Sequence, residues 1–305
     1  MKKFFITGGS GFLGKHLIRK LANYAENTIV YPDSKSCDLI QERSLNQYNS
    51  EKYDFIIHLA AWTQAGDFCL RHPGEQWIYN QQINTNLLKW WWQKQPQAKL
   101  VFMGTSCSYP EGVINIERNY LQGSPTQSLY TYAMTKRMLL VGAQALSNQY
   151  GLEFCSFIPS TLYGNDYHND GRQMHFIFDL VRKIVDASEG GDPPKLWGDG
   201  NQVREIVHVD DFLNIMIKLV NDLKNDILNI PGTQGYTIRE FAKVICNLCN
   251  YDPSLVEYDT SKYVGAKHKT LDNTKLIEMI GNYKQLELRE GLKEIIDWYK
   301  NSNRQ

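Results

Sequence analysis

The chain has 305 residues, with 33 Lys plus Arg against 33 Asp plus Glu, 42% hydrophobic and 22% charged residues, which is the balance of an ordinary globular protein and excludes a disordered chain. Its formal net charge of zero supplies no general field to draw a polyanion onto the surface, and no basic patch stands out, so nucleic acid is not an expected partner. At about 100 to 200 residues per domain, the length admits two domains or one continuous α/β body with a subdomain.

No apolar run approaches the roughly 18 residues of a membrane span. Met1-Lys2-Lys3 leads directly into a strand pattern, without the apolar core and small-residue cleavage site of a signal peptide, so no membrane partner and a cytoplasmic location are expected. The strand Lys3-Phe4-Phe5-Ile6-Thr7 stops at Gly8-Gly9-Ser10-Gly11-Phe12-Leu13-Gly14 and resumes as a helical pattern through Leu17, Ile18, Leu21 and Ala22. A second apolar run, Thr28 to Tyr31, ends at Pro32-Asp33. A third, Tyr53 to Ala61, is long enough for a strand buried on both faces. Gly74 to Gln95 follows as a long helix stopped by Pro96, Lys99 to Gly104 as the fourth strand, Tyr130 to Tyr150 as a second long helix, and Glu153 to Ile158 as the fifth strand. This alternation predicts an α/β fold with a Rossmann-type doubly wound parallel sheet, right-handed crossovers, and ligands beyond the carboxyl ends of the strands.

After Gly164 the pattern changes to a polar loop, a helix from Phe176 to Ala187, and a break at Gly190-Gly191-Asp192-Pro193-Pro194 before Lys195-Leu196-Trp197-Gly198-Asp199-Gly200. His208-Val209-Asp210-Asp211 opens another helix, with the two carboxylates read as N-cap and dipole complement; Ile227 to Pro231 reads as a strand, and Thr237 as the cap of a helix to Asn250. A helix from Glu290 to Tyr299 follows a turn-rich stretch. The expected division is 1-164 with 205-231 as the dinucleotide-binding domain, and 165-204 with 232-305 as a smaller C-terminal α/β substrate subdomain.

The six cysteines are scattered, so no disulfide framework is expected. Cys246 and Cys249 have a C-x-x-C spacing, but no second pair follows; in an apolar helical stretch they read as packing residues, and no metal site is expected. Trp90-Trp91-Trp92 invites a base-stacking reading, yet three adjacent tryptophans spread around a helix suit one sandwiched between a sheet and a partner.

Two constellations carry chemistry. Gly8, Gly11 and Gly14, between strand and helix, let the backbone turn tightly and offer a pyrophosphate the N–H groups of the helix start. A glycine turn alone is equally compatible with no nucleotide. Tyr132 and Lys136 stand at i, i+4 on one helix face, so the ammonium favours a phenolate and is expected to lower the Tyr132 pKa, while the Thr105 hydroxyl at a strand tip could orient the same substrate oxygen. An exposed Tyr/Lys pair of that spacing is common, so the pair gains meaning only in company.

Taken in order, the TGxxGxxG turn, the Thr105 strand tip and the YxxxK helix resemble the extended short-chain dehydrogenase/reductase superfamily, and most closely the GDP-L-fucose synthase family, the GDP-4-keto-6-deoxy-mannose 3,5-epimerase-4-reductases. Matching segments run nearly end to end, through Cys37-Asp38-Leu39, His58-Leu59-Ala60-Ala61, Gly104 to Pro110, Tyr132 to Lys136, Ile158 to Gly164, Trp197 to Gly200, Arg204-Glu205 with His208 to Asp211, and Tyr258 to Lys262. The resemblance implies a nicotinamide cofactor bound by Gly8, Ser10, Gly11, Phe12, Leu13, Gly14, Asp33, Asp38, Leu39, Leu59, Ala60, Ala61, Tyr132, Lys136, Pro159, Thr161 and Leu162. It implies Thr105, Tyr132 and Lys136 as the hydride-transfer group and Cys107 with His175 as the acid and base of C3 and C5 epimerisation. Substrate contacts are implied at Thr105, Ser106, Cys107, His175, Arg182, Trp197, Arg204 and Lys269, with Arg204 suited to a diphosphate. For Arg182 and Lys269 a solvated surface charge is an equal reading. Superfamily members dimerise through the two long helices, so a homodimer is expected.

The chain departs from that family in places. Trp62 to Cys69 stands where a Gly-Gly step is usual, in a loop expected to border the sugar, and Thr105 replaces the commoner serine. After the second strand, Asp33 could hold a ribose 2′-hydroxyl and Lys35 could meet a 2′-phosphate, which leaves NAD(H) and NADP(H) both open, with the resemblance favouring NADP(H). The expected function is a nucleotide-sugar epimerase/reductase acting on a 4-keto sugar nucleotide, GDP-linked, with hydride transfer at C4. Its alternatives are an NAD-dependent 4-epimerase, dehydratase or 4-dehydrogenase on a hexose or heptose nucleotide, and a nucleotide-sensing scaffold without turnover.

Overall fold

The computed structural model describes residues 1–262 and 264–302. In chain order its first half runs β1 (Lys3–Thr7), α1 (Phe12–Ala22), β2 (Thr28–Val30), β3 (Phe55–His58), α2 (Phe68–Arg71), α3 (Pro73–Lys94), β4 (Lys99–Met103), α4 (Tyr130–Tyr150) and β5 (Phe154–Pro159). The rest continues through β6 (Thr161–Tyr163), α5 (Phe176–Ser188), β7 (Lys195–Trp197), β8 (Val203–His208), α6 (Val209–Leu219), β9 (Asp226–Ile230), β10 (Gly235–Thr237), α7 (Ile238–Cys249), β11 (Glu257–Asp259), β12 (His268–Lys269), α8 (Thr274–Ile280) and α9 (Leu288–Ser302). Among the described residues, no helix is long and apolar enough to cross a membrane.

The chain divides into two compact units, one of Met1–Thr63, Phe68–Pro159 and Leu213–Asn229, the other of Gln64–Asp67, Ser160–Phe212 and Ile230–Gln305. The block 205-231, expected as one piece of the first domain, is thus cut inside α6 and again inside β9.

The first unit is built on the predicted sheet, in the order β2-β1-β3-β4-β5-β9. The pairs β1–β2, β1–β3, β3–β4 and β4–β5 are all parallel. β3 and β4 are buried at every position, as strands covered by helices on both faces must be. The chain leaves β1 for β2 on one side and returns to β3 on the other, so the switch point of the sheet lies at the carboxyl ends of β1 and β3, where a doubly wound fold binds nucleotides. The three tryptophans of α3 have separate partners: buried Trp90 donates to Asn49 Oδ1 at 2.8 Å, buried Trp91 to the Ala98 carbonyl at 2.8 Å, and Trp92 stacks on Tyr150. Helix α4 has the predicted limits and ends on Gly151 at φ 70, a left-handed cap.

In the second unit β8 is the organising strand. It pairs antiparallel with β10 and parallel with β12 and β6, while β7 pairs with β11. The predicted Thr237 cap is a full capping box, with Glu240 N donating to Thr237 Oγ1 at 3.1 Å and Thr237 N to Glu240 Oε2 at 2.6 Å. The N-cap reading of Asp210 and Asp211 is corrected: α6 begins at Val209, so both lie inside its first turn, where their charge still complements the dipole, and Asp211 Oδ2 accepts the Leu286 N–H at 2.8 Å. Cys246 is buried, but Cys249 is only half-buried, so one thiol of that pair is less enclosed than expected.

Candidate active site

The glycine turn is shaped by close approach. A Cβ on Gly8, whose φ is +72°, would lie 2.7 Å from Ala60 N and 2.9 Å from the Leu59 carbonyl carbon; one on Gly14 would lie 2.3 Å from the Gly8 carbonyl oxygen. These two glycines bring the turn against the end of β3 and the start of α1 against the turn. Gly11 is the N-cap of α1 and supplies no side-chain cap. The backbone N–H groups at the start of the helix point toward the turn, and the cradle fits a dinucleotide pyrophosphate. Asp38 and Leu39 sit in a turn that α3 holds in place: Asn86 Nδ2 donates to the carbonyls of Leu39 at 2.9 Å and Ile40 at 3.0 Å, and Ile40 N to Asp38 Oδ1 at 3.1 Å. Pro159 ends β5, whereas Thr161 and Leu162 lie on β6 of the second unit.

Beyond β4 the chain turns through Thr105, Ser106 and Cys107. Thr105 Oγ1 accepts the Cys107 N–H at 3.3 Å, and Thr105 N donates to the Tyr120 hydroxyl at 3.2 Å. Tyr120 can stand there because residue 104 is glycine, where a Cβ would come within 2.9 Å of that hydroxyl oxygen. The turn is tied to α4: Ser108 Oγ donates to the Ala133 carbonyl at 3.2 Å, and the Arg137 guanidinium donates to the carbonyls of Ser108, Gln122 (2.7 Å) and Gly123 (2.7 Å). Thr105 and Cys107 are so held next to the face of α4 that carries Tyr132 and Lys136, whose Nζ lies 5.9 Å from the Tyr132 ring centroid.

The electrostatics differ from the sequence expectation. The Tyr132 phenol is pushed up, by burial first and then by the thiols of Cys107 and Cys69 and by Tyr120. Lys136 is itself brought down to about 8 by burial, so the amine gives up part of the charge with which it was expected to lower the phenol. Behind it lies a buried polar chain. Thr7 Oγ1 and His58 Nδ1 are 2.7 Å apart, His58 Nε2 is 3.2 Å from Asn84 Oδ1, and Asn84 Nδ2 donates at 3.3 Å to the carbonyl of Thr135, the residue before Lys136. Burial, then the Lys136 charge, hold His58 down at about 3 and therefore neutral.

In the second unit, His175 precedes α5 with a solvent-accessible surface, yet the protein around it, then Lys269 and His168, lowers its pKa to about 4. Lys269 pairs in register with Arg204 across β12 and β8, so both leave the sheet on one side. Arg204 Nη2 donates to the Val264 carbonyl at 3.0 Å. Arg182 is drawn to Asp179 at 2.6 Å and Asp186 at 3.7 Å, the surface-charge arrangement. Trp197 is 55% exposed on β7. Trp62 packs against Phe68 and Tyr79, and its backbone is held by Asn80, whose Oδ1 accepts the Trp62 N–H at 2.9 Å.

Sequence reasoning missed Tyr120, Arg137, Asn80, Asn84 and Asn86. Asn80 and Asn84 had a signal, amides at i, i+4 on one side of α3, both buried, whereas Asn86, two residues on, faces another side and had none. Tyr120 had none, because its partner is fixed only when the loop folds back.

A family model described as the NAD dependent epimerase/dehydratase family matches residues 4–230. The chain is 28% identical to a GDP-L-colitose synthase of Yersinia pseudotuberculosis, over 98% of each chain. It is also 28% identical to GDP-L-fucose synthase 1 of Arabidopsis thaliana, over 97% of this chain and 93% of that one. Among solved structures, a GDP-L-fucose synthetase from Naegleria fowleri bound to NADP superposes with a TM-score of 0.87 at 21% identity, covering 99% of this chain and 94% of the other.

Proposed function

The chain belongs to the NAD dependent epimerase/dehydratase family, and from that premise we propose that it is an NADP(H)-dependent nucleotide-sugar epimerase/reductase acting on a GDP-linked 4-keto sugar. Its relatives of like length, a GDP-L-colitose synthase and a GDP-L-fucose synthase, support the substrate class. The observation that carries the reading is a thiol beside the phenol: Cys107 is buried, interacts electrostatically with Tyr132, and sits on a turn bonded to α4. Reduction of a ketone calls for the phenol, the amine and an orienting hydroxyl, and for no thiol. A thiol next to them adds a second proton-transfer group, and inversion at carbon needs one group to take a proton and another to return it on the opposite face.

A C4 ketone acidifies the C3 and C5 protons. In this proposal Cys107 and His175 form the acid–base pair for the epimerisations, His175 being neutral near pH 7 and so able to accept a proton. Tyr132 protonates the C4 oxygen, Thr105 orients it, and Lys136 stabilises the phenolate left behind and holds a ribose hydroxyl. The bound nicotinamide supplies the hydride. Arg204 and Lys269 bind the diphosphate, and Gly8, Ser10, Gly11 and the start of α1 bind the dinucleotide. A second copy of the chain packs on α3 and α4, in keeping with the exposed Met138 and Val141 on α4.

The test is incubation with GDP-4-keto-6-deoxy-mannose and NADPH in deuterated water. NADPH consumption equal to the sugar reduced, with deuterium at C3 and C5, is expected. Reduction without deuterium would strike Cys107 and His175 from the catalytic group, and copurified NAD with no net consumption of NADPH would favour the NAD-dependent alternatives.

A further inference from the structure

Between β6 and α5 the chain turns back onto the helix it is about to enter. Asp166 takes a left-handed conformation, φ 58, which costs an L residue free energy and which Asp tolerates better than most. The next residue, Tyr167, lays its ring on that of buried Phe178 in the first turn of α5, with centroids 3.8 Å apart and planes 6° from parallel. The His168 ring packs 4.2 Å from the same tyrosine, and its Nδ1 lies 3.5 Å from Asp170 Oδ1, a carboxylate held by Arg172 at 2.7 Å.

This stack stands beside His175, whose ring centroid is 6.3 Å from that of Tyr167. His175 is the N-cap of α5, yet its side chain makes no cap hydrogen bond to the helix. Its backbone is committed on both sides. The carbonyl accepts the N–H groups of Phe178 at 3.0 Å and Asp179 at 3.1 Å, and the Tyr167 hydroxyl takes a backbone hydrogen bond from the His175 N–H. With both groups fixed, the imidazole moves only about its own side-chain torsions. Burial pushes the Tyr167 phenol up to about 12, so near neutral pH it is an uncharged hydroxyl, suited to orienting a neighbour and not to taking a proton from carbon.

We propose that Tyr167 is a positioning residue for His175: its hydroxyl and its stacked ring fix the backbone from which the imidazole serves the C3 and C5 epimerisations, and hydride transfer at C4 does not depend on it. The inference rests on the reading of His175 as one member of the acid–base pair and adds the residue that aims it. Proton transfer at carbon needs donor and acceptor within hydrogen-bond reach, so a small drift of the imidazole is felt at that step. The groups assigned to the C4 oxygen, Thr105, Tyr132 and Lys136, belong to the other unit of the chain and do not share this support.

Two measurements on the full chain separate the steps. Deuterium entry at C3 and C5 is followed in GDP-4-keto-6-deoxy-mannose with NADP+ in deuterated water, where no hydride is on offer. NADPH oxidation is followed on a GDP-4-keto sugar that already has the product configuration at C3 and C5. Tyr167→Phe, which keeps the stack and deletes the hydroxyl, is expected to slow deuterium entry by roughly ten-fold and to leave kcat and KM of the reduction within about two-fold of the parent. Tyr167→Leu, which also gives up the stack, is expected to slow deuterium entry further, with the reduction again spared. His175→Asn, the reference, is expected to stop deuterium entry. If it does, while Tyr167→Phe slows both steps equally or neither, the inference is overturned and the proposed function stands. Deuterium entry that survives in His175→Asn overturns the acid–base reading and the inference with it.

Discussion

Residue by residue, the site is defined by what burial does to its ionisable groups. Tyr132 is raised although Lys136 stands one helical turn away, because the same burial that raises the phenol lowers the amine. An i, i+4 spacing read from sequence gives adjacency, but not the dielectric in which the two charges meet. A pH dependence follows. Lys136 keeps its proton below about 8 and loses it above, and once it is neutral the phenolate that forms on proton donation has no cation beside it. The kcat/KM for ketone reduction, which reports free-enzyme ionisations, is therefore expected to fall on the alkaline side with an apparent pKa near 8, by about ten-fold per pH unit. A steady-state pH profile checks this; a rate flat far into the alkaline range would mean that the Lys136 charge does not assist the step.

At the scale of elements, α4 does more than carry two reactive side chains. Through Arg137 it gathers three carbonyls from the loop behind the Thr105 turn, while Tyr120 holds the Thr105 backbone from the other side. Replacing Arg137 by methionine leaves the Ser108, Gln122 and Gly123 carbonyls without their donor, at a cost of about 1–3 kcal/mol. It also loosens the turn that presents Thr105 and Cys107. Arg137→Met is expected to lower the denaturant midpoint and to reduce kcat more than it changes KM, with partial recovery in Arg137→Lys. Chemical denaturation with steady-state kinetics checks it, and a variant as stable and as fast as the parent would show that Arg137 holds nothing that matters. The limits of α4 and the capping box at Thr237 were legible in the sequence because they depend on local residues: a run of helix formers before Gly151, and a Thr-x-x-Glu pattern. The contacts of Arg137 were not legible. Their acceptors are backbone carbonyls brought close by a loop that has no periodicity of its own. The same holds for the turn at Asp33: nothing in the local pattern announces that the Ser36 N–H and hydroxyl will both donate to its carboxylate.

Across the whole molecule, the first unit was readable as a sheet because its strands are continuous apolar runs, whereas β6, β10 and β12 are only two or three residues long and exist by pairing with β8. What holds those short strands includes Glu205 on β8, a buried carboxyl whose Oε2 accepts the Leu271 N–H at 3.1 Å and which also takes a backbone hydrogen bond from Gly232. Burial raises its pKa from 4.5 to about 7, against the opposing pull of those two N–H groups. Between these values the folded chain keeps a proton that the unfolded chain has released, so stability falls as pH rises through the window. The contribution is complete below 4.5 and gone above about 7, and its size is about 3 kcal/mol. Glu205→Gln keeps an acceptor for Leu271 and Gly232 but removes the ionisation. The variant is therefore expected to flatten this part of the pH–stability curve between about pH 5 and about pH 8, and to be more stable than the parent at the upper end. Denaturant midpoints of parent and variant across that range decide the matter. Parallel curves would mean that the Glu205 carboxyl ionises as freely in the folded sheet as in the unfolded chain, and that the second unit's pH response has its source elsewhere.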